Sequence, residues 1–176
     1  MAKSVWTIDP SHSEIGFSVK HMMFTKVSGK FNDFQAAVEN DGDAFETSEI
    51  SFSAEVGSIN TNNVDRDNHL RSADFFDAVK FPKITFKSTG IKKINEREFE
   101  VSGNLTIKDV TKKVTLDTAY SGLMTDPWGN TKVGVAASGK INRIEFGLTW
   151  NASLETGGVL VGEDVKLVFE VQLIKQ

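Results

Sequence analysis

The chain has 176 residues, a formal net charge of −4, no cysteine, and thirteen Phe and three Trp against a single Tyr. That length closes one core and is short for two, so a single domain over residues 1–176 is expected. Scattered, slightly acidic charge offers no basic stripe for a phosphate backbone, and the lack of cysteine removes disulfides, thiolate metal sites and a thiol nucleophile.

In chain order, the segment from Met1 to Asp9 has no apolar core of a secretion signal, and no apolar run approaches a spanning helix. A cytoplasmic protein without stable membrane insertion is the expectation. Apolar residues then alternate with polar ones at Ile15, Phe17 and Val19, with His21 in register, and again at Phe34, Ala36 and Val38. After turn residues at Asn40 to Asp43 the pattern returns at Ile50, Phe52, Ala54 and Val56.

From Thr61 to Val79 the alternation breaks. Asn62 can cap a short helix there, with Asp65 in its first turn. Arg66 and His69 would share a face, Asp67 and Arg71 would pair at i, i+4, and Leu70 and Ala73 would pack inward.

Strand patterning resumes at Ile84 and Phe86, is punctuated at Thr89–Gly90, and is longest at Phe99, Val101, Gly103, Leu105 and Ile107. Val114 and Leu116 follow, then turn chemistry at Asp126 to Asn130, Val133 and Val135, a glycine-rich stretch from Gly157 to Gly162, and a final run from Val165 to Leu173. One wet face and one apolar face indicate antiparallel pairing. Nine alternating residues span roughly 30 Å, which suits a deep barrel better than a small sandwich, although alternation alone does not establish closure. The expected fold is all-β: an elongated, antiparallel, lipocalin-like barrel of about eight strands with a short helical cap.

The stretches "WTIDPSHSEIGFSVKHMMFTKVSGKF", "NVDRDNHLRSADFFD", "FPKITFKST", "VSGNLTIKDVTKKVTL" and "INRIEFGLTW", in that order and over nearly the whole chain, resemble the YceI-like, polyisoprenoid-binding family. The resemblance implies a ligand whose isoprenoid tail runs down the barrel and whose head, a prenyl quinone or prenyl phosphate, lies near one end. It implies storage or transport rather than catalysis. Two features depart from the family pattern. Many members carry a secretion leader, and Lys108–Asp109 stands where a His–Gly pair is usual.

Tail-lining candidates are the apolar residues Phe17, Val19, Phe31, Phe34, Phe52, Phe86, Val101, Leu105, Leu116, Phe146, Leu167 and Phe169. Gly103, Ala54 and Ala137 would leave room among them. Head-group candidates are Arg66, His69, Lys20, His21 and Asn63, since an anionic head needs charge-assisted donors and Arg offers a planar fork of them. Arg66 could instead lock the cap through an ion pair with Asp67, and His21 could be a hydrogen-bonded interior histidine.

Ser11-His12-Ser13 lacks a nucleophile elbow, and the three histidines are spaced like no compact metal motif. No enzyme, metal or cofactor is expected. The second reading is a filled-core barrel serving as a protein-interaction or stress-related structural module, and a homodimer through a barrel edge stays open.

Overall fold

A computed structural model describes residues 2–155 and 157–176. Strand β1 (Lys3–Ile8) is followed by a 3-10 turn at Pro10–His12 and β2 (Glu14–His21). Strands β3 (Thr25–Phe31) and β4 (Phe34–Asp41) follow, then β5 (Glu49–Glu55) and the short β6 (Ile59–Asn60). After helix α1 (Val64–Arg71) come β7 (Lys83–Lys93), β8 (Glu98–Ile107) and β9 (Val110–Tyr120). The chain ends with β10 (Met124–Thr125), β11 (Thr131–Asn142) and β12 (Val161–Lys175).

Eight of these close an antiparallel barrel in the order β1-β4-β5-β7-β8-β9-β11-β12. Closure satisfies the backbone groups that an open sheet would leave at its edges. Strand β12 is the keel. On one side it pairs with β11 from Asp164 to Ile174, and on the other with β1 at Leu173 to Lys175 and with β2 at Val161 to Glu170. The β2–β3 hairpin, with β6 beside β3, therefore extends the wall beyond β1 at one end.

The alternation in the sequence becomes the two faces of the wall. Phe99, Val101, Leu105 and Ile107 of β8 are buried, whereas the interleaved Glu98, Glu100, Ser102, Asn104 and Thr106 are exposed or half-buried. At the end opposite the β2–β3 hairpin, Trp6, Val38, Val133 and Leu173 form a compact buried cluster. Trp6 Nε1 donates to Asn40 Oδ1 at 3.2 Å, giving the indole a partner in a buried setting.

Four local expectations change. Asn62 is not the helix cap: it sits in the left-handed region at φ 62, which Asn tolerates better than most residues, and Asn63 caps α1 by accepting from Arg66 N–H at 2.9 Å. The Asp67–Arg71 pair gives way to Thr61, whose N–H and hydroxyl both donate to buried Asp67, while Arg71 donates to the Gly57 and Ile59 carbonyls. Ala73 lies past the helix end and is exposed. Thr89–Gly90 is not a turn but part of β7, whose register shifts between Ser88 and Gly90, since a strand glycine often marks a bulge. At the unusual Lys108–Asp109 turn, the left-handed residue is Lys108, at φ 58.

Asp43 Oδ2 accepts from Lys175 Nζ at 2.7 Å and ties the β4–β5 turn to the end of β12. That bond is the main cause holding the Asp43 carboxyl below its ordinary range. Its contribution to stability is present above the unfolded carboxylate range near pH 4 and is lost as pH falls through the lower folded value. Asp43→Asn should therefore cost about 1 kcal/mol at pH 7 and almost nothing at pH 2. Urea unfolding of both proteins at the two pH values measures this, and a pH-independent difference would mean the ion pair is not its source.

Candidate functional site

An apolar tunnel of about 350 Å³ runs through the barrel. Its lining reaches from Ile8, Val38 and Leu173 near the closed end to His21, Leu160, Val161 and α1 at the other. The twelve steps of β12 between Val161 and Leu173 cover about 40 Å of strand, which at the usual tilt of barrel strands corresponds to a depth of roughly 30 Å. So small a volume spread over such a length fits one slender chain and not a bulky, rounded ligand.

Of the tail-lining candidates, Phe17, Val19, Phe31, Phe52, Phe86, Val101, Leu105, Leu116, Leu167 and Phe169 line this tunnel, as do Ala54 and Ala137. Phe34 and Phe146 do not. Phe34 is buried beside Ala54 without bordering the lumen, and Phe146 belongs to the 3-10 turn Arg143–Phe146, where it is 1% exposed and packed in the core. Gly103 does not open onto the lumen either, because the Phe86 ring covers it.

This covering is repeated. A Cβ at Gly29 would meet the Phe17 ring at 2.5 Å, and one at Gly139 would meet Leu116 Cδ2 at 2.7 Å. Phe17 and Gly29 are direct cross-strand partners. Large side chains can thus lie against the wall over the backbone of glycines, which leaves the centre of the barrel open.

The head-group candidates divide. Arg66, His69, His21 and Lys20 all border the tunnel, whereas Asn63 does not and its side chain is engaged in capping. Arg66 is half-buried; its Nε and Nη2 donate to the Thr61 hydroxyl and carbonyl at 2.8 Å. Thr61 thus joins Arg66 to Asp67, and among the described residues no carboxylate lies within 4.0 Å of the guanidinium. Of its five N–H groups, three are left without a partner among those residues.

His69 Nε2 is 2.8 Å from Asp74 Oδ2, and its ring meets Trp150 and Phe75 edge-on. His21 is half-buried, and its ring has no hydrogen-bond partner among the described residues. Lys20 is exposed beside Gly162, where the β2–β12 register shifts.

Arg143, Trp150 and Thr61 also border the tunnel and were not among the candidates. Arg143 is only 3% exposed, and its guanidinium donates to the carbonyls of Leu148, Trp150, Val161 and Gly162. Burial pushes its pKa below the ordinary value, partly offset by the Glu163 charge. The run "INRIEFGLTW" held both Arg143 and Trp150, but a lone Arg in a sequence does not show that its partners are carbonyls.

Asp9, Ser11 and His12 form a local cluster away from the tunnel. His12 Nδ1 faces both Asp9 at 2.8 Å and Ser11 Oγ at 3.2 Å, and Ser11 Oγ donates to Asp9. One ring nitrogen thus meets both neighbours, which is capping geometry and not a relay through two nitrogens. Hydrogen bonds from Ser11 and then His12 hold Asp9 below the ordinary carboxylate range. Among the described residues, no group of three or more His, Asp or Glu could hold a metal ion, and no helix is long and apolar enough to cross a membrane.

The sequence that builds this long apolar tunnel, with polar groups gathered near one end, matches the YceI-like domain over residues 6–173. The chain belongs to the YceI-like family. It is similar to the UPF0312 protein SA2479 of Staphylococcus aureus, 43% identical over 92% of each chain. A Campylobacter jejuni YCEI protein of known structure is 32% identical, with a TM-score of 0.76 over 89% of this chain and 90% of that one. A polyisoprenoid binding domain from Saccharophagus degradans shares the fold at 12% identity, with a TM-score of 0.67 over 97% of this chain and 98% of that one. The fold is thus common to chains that share as few as 12% of their residues. In this member, Arg66, Thr61 and Asp67 form one linked group on the tunnel side of the cap.

Proposed function

We propose that this YceI-like protein binds one long apolar molecule, a polyisoprenoid, inside the barrel without chemical conversion, for storage or transport. The tunnel carries the reading: a lumen walled by apolar side chains, closed by the Trp6 cluster and bordered by Arg66 and His69 near its other end. The YceI-like match and the polyisoprenoid binding described for the Saccharophagus degradans domain support the ligand class. An open lumen favours a carrier over a filled-core interaction or stress-related module.

Each isoprene unit taken from water contributes about 4 kcal/mol at ~0.8 kcal/mol per carbon, so tail burial alone would soon exceed the practical ceiling on affinity. Against a bilayer, where the tail is already dry, the net gain is small. Selectivity then rests on tunnel length and the head group. The unpartnered N–H groups of Arg66 suit an anionic head, with the Thr61 bonds fixing the guanidinium plane.

Arg66→Ala should weaken geranylgeranyl diphosphate binding about tenfold or more while leaving geranylgeraniol binding unchanged, the size of one to two charge-assisted hydrogen bonds. Titration followed by tryptophan fluorescence measures both, and equal loss for the two ligands would remove Arg66 from the head-group site. Native mass spectrometry of gently purified protein tests the wider reading. A near-stoichiometric prenyl lipid is the expected result; an empty protein that also ignores added prenyl lipids would overturn it.

A further inference from the structure

The loop between β2 and β3 is Met22, Met23 and Phe24, exposed by 41%, 56% and 81%. Met22 and Met23 lie at φ 53 and φ 71, in the left-handed region that Asn and Gly adopt with least strain. Two large apolar side chains are therefore held at a water-facing tip in a conformation for which smaller residues would be more stable. An ordinary surface turn gains nothing from that choice.

The tip adjoins the tunnel. Met22 N–H donates to the Leu160 carbonyl at 2.8 Å, Met23 packs beside Gly158, and His21 and Leu160 are tunnel-lining residues. Immediately behind the tip, Lys20 and Lys26 face each other across the β2–β3 ladder, with Lys30 farther along β3. Like charges directly opposite one another are unfavourable in isolation. Among the described residues, none of these lysines has a carboxylate within 4.0 Å. On a protein of net charge −4, this is a local cationic collar behind an apolar tip.

We propose that the Met22–Phe24 tip inserts into the interface of an anionic lipid bilayer, with Lys20 and Lys26 on the phosphates, so that the tunnel mouth opens onto the membrane. Apolar residues ahead of lysines are the chemistry of a peripheral membrane contact. The purpose rests on the carrier reading, because a polyisoprenoid too apolar for water must pass between bilayer and tunnel where the two touch. The geometry does not rest on it. A second apolar group, Leu123, Met124 and Trp128, sits on the β10–β11 side, where Lys132 pairs with Ile174 near the closed end. It serves as the competing surface.

Flotation of the intact protein with vesicles free of prenyl lipid tests docking separately from cargo binding. Wild type should float with equimolar phosphatidylcholine and phosphatidylglycerol, and more weakly with pure phosphatidylcholine. Met22→Asn/Met23→Gly/Phe24→Ser, whose first two replacements suit the positive φ values, should lose at least about tenfold in partitioning without losing thermal stability. Lys20→Gln/Lys26→Gln should lose about fivefold per lysine on the anionic vesicles and little on the neutral ones. Trp128→Ser should float as wild type does. Wild type that floats with neither vesicle, a triple variant that floats like wild type, or loss of flotation in Trp128→Ser would each overturn the proposal.

Discussion

Replacing Arg143 with Leu should lower the melting temperature by on the order of 10 °C, from a loss of about 3–5 kcal/mol. The guanidinium is buried and bonds four carbonyls from two segments, Leu148 and Trp150 after the 3-10 turn and Val161 and Gly162 at the start of β12. Leu roughly fills the stem's volume but leaves those acceptors unpaired, and each unsatisfied buried carbonyl costs about 1–3 kcal/mol. Recovery of the desolvation cost of the buried charge offsets part of the sum. Arg143→Lys should restore less than half of the loss, since an ammonium has three donors and cannot present a planar fork to four oxygens. Thermal unfolding followed by near-ultraviolet circular dichroism measures both variants. A shift of only a degree or two for Arg143→Leu would mean that the loop and β12 hold together without it.

The same residue shows what a sequence reveals and what it conceals. Period-two alternation made the β8 and β12 faces legible, because inward and outward positions on a strand differ in polarity. It also placed most of the tunnel wall, since a lumen is lined by the same apolar positions that would fill a core. Phe34 and Phe146 escaped that logic because alternation gives a face and not a depth: both are buried, but neither borders the lumen. Asn62 and Asn63 are equivalent cap candidates by residue type, and the φ of 62 at Asn62 is set by the turn leaving β6. Arg143 and Thr61 act through backbone acceptors and one shared hydroxyl, neither of which leaves a periodic or charge-pair signature.

Gly103→Leu should abolish or severely impair folding, and Gly103→Ala alone should cost about 2–3 kcal/mol, at the upper end of ordinary overpacking. A Cβ at this position would lie 2.5 Å from the Lys87 carbonyl oxygen and within contact of the Phe86 ring. The ring could rotate away, but the carbonyl belongs to β7, whose ladder with β8 would have to move. Gly139→Ala is the matched control. Its nearest neighbour is the flexible end of Leu116, and the Thr115 carbonyl oxygen at 3.3 Å need yield only a few tenths of an ångström, so the cost should stay near about 1 kcal/mol, below that at Gly103. Pairing Gly103→Ala with Phe86→Ala separates the two contacts by a double-mutant cycle. Rescue of half the loss or less would identify the backbone carbonyl as the main obstacle, whereas full rescue would make Gly103 merely the seat of the Phe86 ring. Should Gly103→Leu instead fold normally and accept only shorter prenyl chains, the side chain must reach the lumen, and the covering of this glycine by Phe86 would be wrong.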